Sequence, residues 1–235
     1  MNNLIKHGTE YGGWLLPKNC ELDETSIIYS GGVGEDISFD AIINSMYNCN
    51  IFLIDPTRRA VNHFEEFKQY CMHKTPFTGN IQKDYYIKIK NLHMNVDKFY
   101  YESIGLWNKK DTLKFYKQRN PNYVSQSIIE NMFGNEYDIV DVDTIKSLME
   151  KHNHTKIDLL KLDIEGAEIK VLNNMLDDNI FPRYLCIEFD LKLKNKDSQN
   201  ETERLMNRLT ENGYKILIND DWNVTFEYTV ISYAP

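Results

Sequence analysis

The chain has 235 residues, with 27 Lys and Arg against 35 Asp and Glu, a net charge of -8, 42% hydrophobic and 26% charged residues. That length fits one α/β domain with a full core, and the composition is that of a globular protein in water. The acidic balance argues against a nucleic-acid partner held by phosphate neutralisation, and no apolar run reaches the length of a membrane span.

Residues 1–24 show no clear period and are expected to form an N-terminal extension packed on the core, with residues 25–235 as the main domain. The loop Tyr11-Gly12-Gly13-Trp14 carries an aromatic anchor, read as packing rather than as a ligand cover. Met1 to Tyr11 lacks the apolar core of a secretory signal. Cys20, Cys49, Cys71 and Cys186 are scattered without metal-type spacing, so free thiols in a reducing, cytoplasmic compartment are expected.

From Ser26 the chain alternates strand and helix. Ser26 to Tyr29 is a short apolar strand that runs into Ser30-Gly31-Gly32-Val33-Gly34-Glu35-Asp36, after which Ile37, Ile42, Ile43 and Met46 recur at helical spacing. Asn50 to Ile54 is a second strand, stopped by Asp55-Pro56, and Val61, Phe64 and Phe67 mark the next helix. Tyr85 to Lys90 alternates weakly, as a strand or an insertion, and Asp97 to Leu106 reads as a third core strand. Leu113 to Tyr116 and Tyr137 to Val142 form a further strand pair around a polar segment, Lys117 to Glu136.

A helix through Ile145, Leu148 and Met149 leads to a buried strand from Ile157 that ends in Lys161-Leu162-Asp163-Ile164-Glu165-Gly166-Ala167-Glu168. Beyond it come a strand at Tyr184 to Phe189 and a helix through Leu205 and Leu209. Strands at Tyr214 to Ile218 and Val224 to Ser232 follow, joined by the turn Asn219-Asp220-Asp221, so the last strand returns antiparallel. The alternation predicts a mostly parallel sheet covered by helices on both faces.

In such sheets ligands sit outside the carboxyl ends of the strands. The turn at Ser30 to Gly34 lets a ligand approach the backbone, and Asp55 follows the glycines by about 20 residues, where an acid can accept from ribose hydroxyls. Asp55 also suits the start of a helix before Pro56. Turn and acid together indicate an adenosine ligand. Asp36 stands where the dinucleotide fingerprint has its third glycine, and its charge would repel a pyrophosphate. S-adenosylmethionine, with a sulfonium and an ammonium, is tolerated there. Glu168 fits the first turn of a helix, where negative charge complements the macrodipole; Asp163 is poorly explained that way.

The Lys161 to Glu168 stretch resembles the signature of the FkbM-type S-adenosylmethionine-dependent methyltransferases. The order around it agrees: the glycine turn, Asp55-Pro56, Gly105-Leu106, Ser125 and Ser127, and Asp143-Thr144-Ile145. Two positions depart, Ser30 where the family usually has an acid and Asp36 where glycine is common; Glu35 or Asp36 is the candidate substitute for that charge. The resemblance implies a Rossmann-like class I methyltransferase fold, with a seven-stranded sheet and an antiparallel last strand, over residues 25–235. It also implies methyl transfer to an oxygen, often on a sugar or a polyketide-like acceptor. Expected at the cofactor are Ser30, Gly31, Gly32, Gly34, Asp36, Asp55, Pro56, Gly105, Leu106 and Asp163, with Trp107 as an adenine stack or a core residue.

A sugar hydroxyl is a poor nucleophile at neutral pH, so a base or a metal helps. Asp163 is expected nearest the sulfonium, Glu165 as the base and Glu188 on the same edge, with Asp163 and Glu188 as candidate ligands for Mg²⁺. Arg119, Tyr123, Ser125 and Gln126 are expected to shape the pocket of a glycan or small-molecule acceptor. His63, His73, His93, His152 and His154 are expected to be structural or incidental, the last two solvated. Competing readings are a nucleotide-sugar-dependent glycosyltransferase, a dehydrogenase weakened by Asp36, and an inactive module that would have lost its strand-end acids.

Overall fold

The computed structural model describes residues 4–79, 81–120, 126–128, 130, 134–190, 195–220 and 222–229. An N-terminal hairpin comes first, β1 (Leu4–His7) against β2 (Trp14–Pro17). Then follow β3 (Ile27–Gly31), α1 (Ser38–Tyr47), β4 (Asn50–Ile54), α2 (Arg58–His73), α3 (Tyr85–Ile89) and β5 (Phe99–Glu102). Four short strands come next: β6 (Gly105–Leu106), β7 (Asp111–Lys117), β8 (Gln126–Ser127) and β9 (Tyr137–Asp143). The chain continues with α4 (Ile145–Lys151), β10 (Leu159–Leu162), α5 (Glu168–Asp177), β11 (Tyr184–Glu188), α6 (Lys196–Glu211), β12 (Tyr214–Asp220) and β13 (Asn223–Tyr228).

The main sheet has seven strands in the order β12-β13-β11-β10-β3-β4-β5. Strands β11, β10, β3, β4 and β5 run parallel, while β13 is antiparallel to both β11 and β12. This is the Rossmann-like class I methyltransferase fold. Alternate residues of the central strands feed two cores, as the period of two in a strand requires. Ile28, Ile51 and Leu53 pack with Phe39, Phe64 and Phe67 of α1 and α2 on one face; Tyr29, Leu160 and Leu162 pack with Leu148, Val171 and Leu205 of α4, α5 and α6 on the other. Trp14 and Leu16 of the hairpin are buried in the first core, and Thr225 on β13 donates to the Leu15 carbonyl at 2.9 Å.

The helix starts are set locally. Thr57, Thr144 and Asn195 each cap a helix by accepting from the backbone N–H three residues on. Tyr85 to Lys90, read as a strand or an insertion, contains α3 instead: Tyr85 and Ile89, four apart, are both fully buried on one helical face. The segment Asp97 to Leu106 does not make one strand. It splits into β5 in the main sheet and β6 in a separate sheet, ordered β6-β9-β7-β8. The expected strand pair is there, β7 antiparallel to β9, but in this small sheet, which stands over the carboxyl edge of the large one.

His152 and His154 are not solvated loop residues. Both rings lie 4.7 Å from Phe52, His152 bonds Glu102 at 2.7 Å and His154 bonds the buried Tyr29 hydroxyl at 2.9 Å. His63 is also structural, bonded to the Tyr85 hydroxyl and pushed down to about 4 by burial. All four cysteines are free, Cys49 and Cys186 buried. No described helix is long and apolar enough to cross a membrane.

Candidate active site

At the carboxyl end of β3 the chain turns through Gly32 and Gly34, both with positive φ. A Cβ on Gly32 would lie 1.6 Å from the Asp163 carbonyl oxygen, so only glycine fits this crossing of two strand ends. The loop is held from β4. One Asp55 oxygen accepts from the Val33 and Gly34 N–H groups at 2.9 and 3.0 Å; the other accepts from the Thr57 N–H and hydroxyl at 2.8 and 2.7 Å. Asp55 thus fixes the loop and the entry to α2, whose cap is Thr57 rather than Asp55 itself.

A cavity of about 700 Å³ opens over this edge. Gly32, Gly34, Asp36, Asp55, Pro56, Gly105, Leu106, Asp163 and Glu165 line it, as does Gln126. Ser30 and Gly31 do not, because both still belong to β3: Gly31 is closed over by Leu106 and Leu162, and Ser30 is buried. Trp107 does not stack in this cavity either. Successive strand residues face opposite ways, so Leu106 faces the loop while Trp107 packs on the far side under the Lys170 ammonium, 4.7 Å from the ring. Arg119 is exposed and off the lining; Tyr123 and Ser125 lie outside the described residues.

The charges considered for the methionine end of a cofactor are engaged. Glu35 pairs with Arg59 at 2.7 Å. Asp36 accepts from the Ser38 N–H at 2.9 Å and from the Thr9 hydroxyl, which ties the hairpin to α1. That tie carries Tyr11 and Gly12 to the mouth of the cavity. The Tyr11 phenol is pushed up to about 12 by desolvation and by the fields of Asp163, Glu165, Glu188 and Asp36. The aromatic anchor of the N-terminal loop is therefore divided: Trp14 packs and Tyr11 lines.

The β10 and β11 ends carry an acidic cluster. Asp163, Glu165 and Asp190 each present an oxygen within 4.8 Å of the others, and Glu188 hydrogen-bonds Asp163. Burial raises Asp163, with Lys161 opposing and Asp55 adding to the rise; burial first and repulsion from neighbouring acids second raise Glu188 to about 8 and Asp190 to about 10. One Asp190 oxygen is buried without a hydrogen-bond partner among the described residues. Glu168 is different. It accepts from the Ile164 and Gly166 N–H groups at 2.9 and 3.1 Å, the helix-start role read from the sequence.

Sequence reasoning passed over Asp190 and gave no role to Lys161. Glu188-Phe189-Asp190 repeats the acid-x-acid spacing of Asp163-Ile164-Glu165 at the neighbouring strand end, which was the available signal. Lys161 lies in a strand that reads as buried, and it is 4% exposed. Its ammonium donates to the Gly32 carbonyl at 2.6 Å and opposes the upward shift of Asp40, Asp163 and Glu188.

Residues 25–216 match the methyltransferase FkbM domain. The chain belongs to this family and is an S-adenosylmethionine-dependent methyltransferase. No curated protein matches it. Among solved structures, an rRNA methylase from Streptococcus thermophilus is similar at 10% identity and a TM-score of 0.43, over 88% of this chain and 89% of that one. Fibrillarin from Aeropyrum pernix, with natively bound S-adenosyl-L-methionine, is similar at 12% identity and a TM-score of 0.39, over 91% of this chain and 70% of that one.

Proposed function

We propose that this chain methylates a hydroxyl oxygen, on a sugar, a glycan or a small secondary metabolite, with the cofactor in the glycine-loop cavity. The observation that carries the reading is the carboxylate cluster at two adjacent strand ends: Asp163 and Glu165 line that cavity, and Asp190 and Glu188 lie beside them off its lining. S-adenosylmethionine supplies an electrophilic methyl group on a sulfonium. Acidic walls favour that cation and disfavour phosphate. The Val33 and Gly34 N–H groups point at Asp55, which leaves them no role as a pyrophosphate cradle for NAD or a nucleotide sugar.

Gly32, Gly34, Pro56, Gly105 and Leu106 would hold the nucleoside over the loop that Asp55 fixes, and Asp163, with the remaining acceptor positions of Asp36, the charged end. Ser30 and Gly31 support the loop from β3, and Trp107 supports Leu106 from behind. Glu165 is the base that takes the hydroxyl proton, and Glu188 is its partner. Glu188, its carboxyl raised to about 8, holds a proton more tightly than a carboxyl in water, which suits it to receive the proton beside Glu165. Where Mg²⁺ takes part, Asp163, Glu165 and Asp190 would be the ligands, with Glu188 beside Asp163; a hard cation suits such oxygen donors. Residues 25–235 then form the methyltransferase domain, and residues 1–24 an extension that lends Tyr11 to the mouth.

The test is transfer of labelled methyl from S-adenosylmethionine to a panel of sugars and polyols, with the product mapped by NMR. Methyl on oxygen is expected. Methyl on nitrogen or carbon overturns the acceptor class, and a rate unchanged by EDTA removes the metal.

A further inference from the structure

A second cavity, of about 890 Å³, lies between the small sheet and helices α5 and α6. Its charge is opposite to that of the first. Lys114, Lys170, Arg204 and Arg208 line it against only Glu130 and Glu201, in a chain whose acids outnumber its bases. Arg208 is held by Asp177 and by the Asn173 amide oxygen. Lys114 and Lys170 rest instead on the rings of Tyr137 and Trp107, and with Arg204 they make no ion pair among the described residues.

One wall separates the two cavities. Leu106 and Phe115 face the glycine loop; Trp107 and Tyr116, each one residue on, face the basic side. The Glu165-Gly166 turn is the shared rim, since Glu165 lines the first cavity and Gly166 the second. A molecule bound on the basic side is thus anchored next to the residue read as the base. An anionic group would be repelled by the carboxylates of the first cavity and attracted here.

We infer that the basic cavity seats a phosphate or carboxylate group carried by the acceptor, which makes the acceptor an anionic sugar. The inference rests on the hydroxyl-methylation reading above. Lys114, Lys170 and Arg204 hold the anion, and the apolar surface of Leu113 and Ile169 takes the face of the ring.

The experiment is calorimetric titration of the full chain, saturated with S-adenosylhomocysteine, with glucose 1-phosphate, glucuronate and glucose. One or both anions are expected to bind and glucose is not. Glucose 1-phosphate binding alone marks phosphate as the group, glucuronate alone marks carboxylate. The double variant Arg204→Ala, Lys170→Gln is expected to weaken the anion tenfold or more while keeping its affinity for S-adenosylhomocysteine, which also reports that it folds. Inorganic phosphate displacing glucose 1-phosphate from the wild type makes the same point without a variant. Equal binding of glucose, no binding of either anion at millimolar concentration, or anion binding untouched by the variant overturns the inference. Failure of S-adenosylhomocysteine itself to bind the wild type is a separate result, and it sinks the methyltransferase-site reading beneath.

Discussion

The two halves of the sheet's carboxyl edge use the same side chain in opposite ways. At the ends of β3 and β4, carboxylates are tied into structure: Asp55 accepts four hydrogen bonds, which fills it, and Asp36 accepts two. At the ends of β10 and β11, four carboxyl groups crowd together: Asp163, Glu188 and Asp190 are desolvated, the last two are repelled by their acidic neighbours, and one Asp190 oxygen has no partner among the described residues. The first half is a finished structural joint. The second is held in a state that a cation or an arriving proton would relieve. Acids that fold a loop are bonded to backbone N–H groups, whereas acids set for chemistry stand against one another.

The largest effect expected from breaking this contrast is on rate. Glu165→Gln should lower kcat on the order of 100- to 10,000-fold, the range for a lost general base, with the affinity for S-adenosylhomocysteine nearly unchanged. A rate within threefold of the wild type would move the base elsewhere. Glu188→Gln sharpens the point through pH. With Glu188 raised to about 8, the wild-type rate should climb with pH and level off above 8, and that rise should flatten in the variant.

Next in size is the link between the halves. Lys161→Met removes the ammonium that joins the Gly32 carbonyl to the acidic floor, leaving a partly buried carbonyl without that donor. A loss of about 1–3 kcal/mol in a denaturant titration is expected, together with an upward move of the rate-pH midpoint. An unmoved midpoint would show that Lys161 only props the loop.

The smallest effect runs the other way. Asp190 and Glu188 are raised above their unfolded values, so the folded chain binds protons more tightly than the unfolded one. That stability is fully present below the ordinary carboxylate range and is lost as pH rises through about 8 for Glu188 and about 10 for Asp190. The ligand-free protein should therefore weaken steadily from about pH 4 up to about pH 10. Asp190→Asn should stabilise it at pH 8 by roughly 1 kcal/mol, read as a higher Tm.

The strand-helix order, the glycine turn and the strand-end acids were legible in the sequence because each leaves a local mark: a period, a positive-φ requirement, a carboxylate where strands disfavour one. What a side chain faces two elements away leaves none. Asp97 to Leu106 reads as one strand, since nothing in it says that Gly105 changes sheets. Trp107 is one residue past Leu106, and that single step carries it out of the cofactor cavity. The place of β13 between β11 and β12 depends on non-local pairing, and Asp55 could be seen to lie at a strand end but not to have all its acceptor positions filled. Lys161 was hidden by its own strand, where a lone cation among apolar residues gives no sign of the carboxylates it will meet.

The most direct measurement is calorimetric titration of S-adenosylhomocysteine, NAD and UDP-glucose into the wild type and Asp55→Ala. Binding of S-adenosylhomocysteine alone, weakened at least tenfold once the Val33 and Gly34 N–H groups lose their acceptor, is the predicted result. A folded wild type that binds UDP-glucose or NAD instead, or binds none of the three, would contradict the assignment of the glycine-loop cavity to the methyl donor.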